Sequence, residues 1–158
     1  MPATNPALIL IASAMASFIF PPQPVGDSAN QGLAQFVDGS WELRVDRTWR
    51  GSKDLSSDRV SEADYAPTPN GPRYPFVVSD GSTMVEVGGP PRFLVHPPVK
   101  GSCSSTLQRV ECELRDGTFA GGRLVVWPKN QGLEAELTIY GSGVAIVSSA
   151  RGLLVRKP

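Results

Sequence analysis

Histidine is almost absent from this chain: its 158 residues include one, His96, and only two cysteines, Cys103 and Cys112. A zinc site takes four protein ligands, or three with an open position. With one imidazole and no C-x-x-C pair, neither a metal site nor a cofactor is expected. An excess of either charge is also missing, since 15 Lys+Arg balance 15 Asp+Glu. Without a basic footprint, no nucleic-acid partner is expected. No charge-free apolar run reaches the roughly 20 residues that a membrane-spanning helix needs.

Catalytic motifs are lacking as well. Gly141-Ser142-Gly143 has no strand-to-helix context for a nucleophile elbow. No helical pattern that could hold a phosphate follows Gly81, Gly88 and Gly89. His96 stands at a strand end beside Pro97 and Pro98, with no partner or nucleophile legible near it. Glu111 and Glu113, like Glu134 and Glu136, alternate with apolar residues and read as solvated strand faces rather than an acid–base pair. An enzyme is not expected.

What the chain does have is turn chemistry, with 16 Gly and 15 Pro among 41% hydrophobic residues. That composition favours β structure with many turns over packed helices. The length suits one domain with a real core.

Ala7 to Phe20 is apolar or small throughout and free of charge. It fits the core of a signal peptide covering 1–28, which would leave a mature domain at 29–158, periplasmic or secreted, with no stable membrane span after cleavage. Because no Lys or Arg precedes the run, a buried N-terminal segment of the domain is the other reading. Cys103 and Cys112 are expected to form a disulfide, in keeping with export. Closing so short a loop stabilises a fold by about 2–3 kcal/mol.

The mature part reads as short strands. Trp41, Leu43 and Val45 alternate with Glu42, Arg44 and Asp46, giving one buried and one wet face. From Trp49 to Pro72 the alternation collapses into a long polar, Pro-rich loop, either a solvated excursion or a recognition loop. Strands are predicted at 74–79, 83–87 and 92–96, with Pro75 marking an edge or a strand start. Val110, Cys112 and Leu114 share an inward face, and Asp116-Gly117 signals a hairpin. Further strands are predicted at 118–127, 133–140, 144–148 and 152–156, with a bulge or bend at Gly121-Gly122. Together these predict an all-β fold, a single antiparallel barrel of about 8–9 short strands or else a β-sandwich.

Gly39-Ser40-Trp41 on the first strand resembles the Gly-x-Trp signature of the calycin superfamily, which includes the lipocalins. The resemblance implies a lipocalin-like barrel closed at one end by Trp41, with a late-strand arginine across it: Arg156, or Arg151 as second choice. Size, strand count and a single disulfide are also similar to the bacterial periplasmic metalloprotease inhibitors. By that likeness Asp27 to Leu33 would form the trunk that enters a protease cleft. The cysteines depart from the inhibitor pattern, lying late in the chain rather than on early strands.

The expected function is noncatalytic binding of a protein partner or of a small apolar ligand. The alternatives are a periplasmic protease inhibitor and a structural, envelope-associated protein. Trp49, Trp127, Leu107 and Arg109 are the expected contact residues for a ligand or partner.

Overall fold

The computed structural model describes residues 33–54, 60–88, 99–115, 121–130, 132–141 and 145–158. The signal peptide 1–28, trunk residues 27–32, His96 with its strand 92–96, Asp116-Gly117 and Ser142-Gly143 lie outside them.

The strands are β1 (Gly39–Asp54), β2 (Ala66–Pro67), β3 (Arg73–Ser79), β4 (Met84–Val87), β5 (Val99–Ser105), β6 (Val110–Arg115), β7 (Gly121–Lys129), β8 (Gly132–Tyr140) and β9 (Ala145–Arg156). A short 3₁₀ turn, Glu62–Asp64, precedes β2. Hydrogen bonding follows chain order from β3 to β9, and β1 pairs with both β3 and β9. The result is a closed, antiparallel, eight-stranded barrel, with β2 added outside it along β1. Closure leaves no free edge around the ring, which removes the usual hazard of an exposed sheet.

Alternation decides what fills the barrel. Leu43, Tyr74, Phe76, Val85, Val87, Cys112, Leu114, Leu124, Leu137 and Ala150 belong to one buried cluster, with Trp41 and Phe36 also in it. Cys103 and Cys112 face each other on β5 and β6 and are joined by the disulfide.

The barrel matches the sequence expectation, but its strands depart from it in several places. β1 does not stop near Trp49; it runs on to Asp54, because its backbone keeps pairing with β9 through Lys53–Ile146. The polar stretch 49–72 is therefore strand at its start, and it includes the 3₁₀ turn and β2. The two predicted last strands are one, β9, since Ser149, Ala150 and Arg151 stay in register with β1 and β8. The Gly121-Gly122 pair holds its register on both sides, and the irregularities fall instead at Val45/Arg47 and Arg50/Lys53 of β1 and at Ile139/Tyr140 of β8.

β5 was not legible as a strand because its sequence, VKGSCSS, is mostly small residues after Val99 and Lys100. The barrel needs them small there: a Cβ on Gly101 would stand 2.5 Å from the Glu113 carbonyl oxygen and 2.7 Å from Leu114 Cδ2. Pro75 is the third residue of β3, a strand that lies between β1 and β4.

Candidate functional site

β9 is long enough to present two different outer surfaces. Where it leaves β8 its outward residues are Ser149 and Arg151, and toward the C-terminus they are Leu153 and Val155. Residues 60–68 fold over the first half as a strap.

The strap is fastened by polar contacts. Tyr65 Oη and Ser149 Oγ are 2.7 Å apart, both buried. Thr68 donates its amide to the Asp46 carbonyl oxygen at 2.7 Å, and its hydroxyl lies 2.8 Å from that of Thr48. Glu62 accepts from Arg47 and Arg151, and Arg47 also reaches Glu134. Glu134 is further paired with Lys129 at 2.9 Å and Arg151 at 3.4 Å, and it accepts from Trp127 Nε1 at 3.2 Å. The Arg151 guanidinium stacks 4.6 Å from the Trp127 ring centroid. Val60, Tyr65 and Ile146 make a second small apolar core beneath the strap, with Trp49 and Tyr140 against it. Burial raises the Tyr65 hydroxyl well above the ordinary phenol range.

This overturns the solvated reading of one carboxylate pair. Glu134 and Glu136 do alternate with apolar residues, yet both are buried, Glu134 with its side chain only 4% exposed. Period-2 patterning tells which residues share a face but not what covers that face. Here a segment that is distant in sequence covers it. A cleft of about 300 Å³ between Val60, Glu62, Trp127, Glu136 and Arg151 marks the strap's margin.

The second surface lies at the end of the barrel that holds Trp41. Trp41 is buried, packs on Phe36 with ring centroids 5.6 Å apart, and donates its Nε1 proton to the Val37 carbonyl oxygen at 2.9 Å. Arg156 is its direct partner across β1 and β9. The guanidinium reaches Gly39, where a Cβ would meet Nε and Nη2 at 3.4 Å, and donates to the Asp38 carbonyl oxygen at 3.2 Å. Gly39 also has φ +143°, so the Gly of Gly-Ser-Trp is called for by its backbone. Arg151, the second choice for that place, sits under the strap instead.

Beside Trp41 lies a half-open groove of about 560 Å³, lined by Val37, Leu133, Leu153, Leu154, Val155 and Arg156 among others. Its apolar lining is not fully covered: Leu153 is 50% and Val37 38% exposed.

The remaining expected contact residues fall in separate places. Trp49 belongs to the strap core and Trp127 to the Glu134 network, both on the outer face of the barrel. Leu107 stands at the tip of the β5–β6 hairpin, 77% exposed. The four-residue loop is held by Thr106, whose amide donates to the Arg109 carbonyl oxygen at 2.8 Å. Arg109 itself pairs with Glu111 at 2.5 Å. The structure thus brings Trp41 and Arg156 together and keeps Trp49, Trp127 and the hairpin tip apart. What sequence reasoning missed is Leu153 and Val37, because single apolar residues on a mixed strand carry no signal of exposure.

Among the described residues no group of three or more His, Cys, Asp or Glu could hold a metal ion, and no helix is long and apolar enough to cross a membrane. Compared with family models, curated proteins and solved structures, the chain finds no significant match.

Proposed function

We propose that the chain is an exported, calycin-like barrel that binds a protein partner on its outside without catalysing a reaction. The observation that carries this reading is the groove beside Trp41, where Val37 and Leu153 stay exposed although the same barrel buries a large apolar cluster. Contiguous exposed apolar surface of this kind marks contact sites more often than chance. The outward placement of Trp127 and the packing of Trp41 on Phe36 favour an external partner over a small ligand inside the barrel. Export is supported by the disulfide and by the charge-free run Ala7–Phe20. The Gly39–Trp41–Arg156 arrangement supports the calycin likeness.

The test is capture from an envelope extract with the wild type and with Leu153→Ser. A partner held by the wild type, lost by the variant and recovered chemically unchanged supports the reading. A partner returned cleaved or modified overturns it.

One observation favours protease inhibition as a second reading. Leu107 projects from a short hairpin braced by Cys103–Cys112, and a preorganised loop loses little entropy when it enters a cleft. Titration against endopeptidases that prefer apolar residues decides it: inhibition abolished by Leu107→Glu supports it, and cleavage at the hairpin without inhibition ends it.

A further inference from the structure

The groove has a chemical bias that its apolar lining does not reveal. Next to it, on the outer faces of β1, β3 and the chain end after β9, three cations converge on one carboxylate. Glu42 pairs with Arg44 at 3.1 Å, Arg73 at 3.5 Å and Lys157 at 3.0 Å. Glu42 is buried while all three cations are exposed. A fourth cation, Arg156, lines the groove itself and makes no ion pair among the described residues; it donates instead to the Asp38 backbone carbonyl.

The nearby carboxylates are already committed. Asp38 accepts from the amides of Gly81 and Ser82 at 3.0 and 2.7 Å. Glu134, which pairs with Leu153 across β8 and β9, is shared by Arg47, Lys129 and Arg151. In a chain of zero formal charge, this one rim therefore gathers four exposed cations, three on the buried Glu42 carboxylate and Arg156 beside Asp38, so that four cations stand against two carboxylates. The cations are not needed to satisfy Glu42, since one or two would do so. Their excess leaves a positive field beside an apolar floor, which attracts anionic groups and disfavours cationic ones.

We infer that the groove docks an acidic, apolar segment of a protein partner. An apolar side chain would lie between Val37 and Leu153, and carboxylates would face Arg156, Lys157 and Arg44. The inference rests on the protein-binding reading above and adds the partner's chemistry. A peptide fits better than a membrane surface because the apolar lining is recessed in a groove, whereas a bilayer is met by protruding apolar residues.

The test uses the full chain and three probes: a short peptide alternating leucine and glutamate, its leucine–lysine counterpart, and vesicles of phosphatidylglycerol. Binding is read by calorimetry and by amide shifts of residues 153–157. The expected result is binding of the leucine–glutamate peptide alone, weakened about tenfold or more by Arg156→Gln with Lys157→Gln, the loss of two charge-assisted contacts. It should also weaken as ionic strength rises from about 0.1 to 1 M, where the screening length falls from about 10 to 3 Å. Leu153→Ser should weaken it with the charges intact, separating groove from rim. Equal binding of both peptides, stronger binding to vesicles, or shifts elsewhere would overturn the inference. If a captured partner survives Arg156→Gln with Lys157→Gln but is lost with Leu153→Ser, the acidic-partner inference fails while the protein-binding reading stands.

Discussion

The two halves of the outer face of β9 are built by the same alternation, yet they have opposite surroundings. Around Ser149 and Arg151 the strap closes over the sheet, and Arg47, Lys129 and Arg151 are paired there with Glu62 and Glu134. Around Leu153 and Val155 nothing among the described residues covers the sheet, and the charges at the rim are unbalanced. A covered polar face holds itself together, so its side chains are already spent on stability. An open face with exposed leucine and surplus cations has interactions still to make. The contrast is what points to the Trp41 end, rather than the Glu134 cluster, as the working surface.

Substitutions on the two halves should therefore separate stability from binding. The largest effect is expected at the covered half. Glu134→Ala removes the buried one of the two carboxylates that Arg47 and Arg151 share, leaving them the exposed Glu62 and leaving Trp127 Nε1 without its acceptor, and should lower unfolding free energy by about 3 kcal/mol in urea titration. Removing the disulfide with Cys103→Ser and Cys112→Ser should take away about 2–3 kcal/mol, read as a lower melting temperature under otherwise identical conditions. Tyr65→Phe deletes the buried bond to Ser149 and should lower stability by about 1 kcal/mol.

Tyrosine burial also sets an alkaline limit. Burial holds Tyr74 at about 12 against an ordinary value of 10.0. Between those values the unfolded chain gives up a proton that the folded chain keeps, so stability is intact below pH 10 and falls as pH rises toward 12. Tyr65, raised for the same reason, adds to the fall, and Tyr65→Phe should flatten part of it in denaturation midpoints measured across that range. The smallest effect is at the open half: Leu153→Ser should change stability by no more than about 0.5 kcal/mol while still weakening partner capture. A large stability loss there would erase the contrast between the halves.

The parts of this molecule that could be read ahead of the structure are those in which one residue's role repeats along a strand. Alternation in β1, β6 and β8 is enough to place Leu43, Cys112 and Leu137 inside, whereas the choice of a closed barrel over a β-sandwich rests on the β1–β9 pairing that the structure shows. The strand 49–54 and β5 were hidden because their residues are polar or small, and they are held by backbone pairing that no side-chain period reports. The candidate surface was partly legible, through Gly39, Trp41 and Arg156. Leu153 and the converging cations were not, for they come from β1, β3 and both sides of the chain end.

The amino-acid sequence by itself determined the inner surface: which side chains avoid water, where turns fall, and that two cysteines could meet. Those are decided by local period and residue type, and they act within a few residues. Only the tertiary structure decided the outer surface. Whether Glu134 is buried or wet, and whether Leu153 is covered or open, depends on where residues 60–68 come to rest after barrel closure. That placement rests on contacts between residues as far apart as Tyr65 and Ser149, a separation that no local pattern spans.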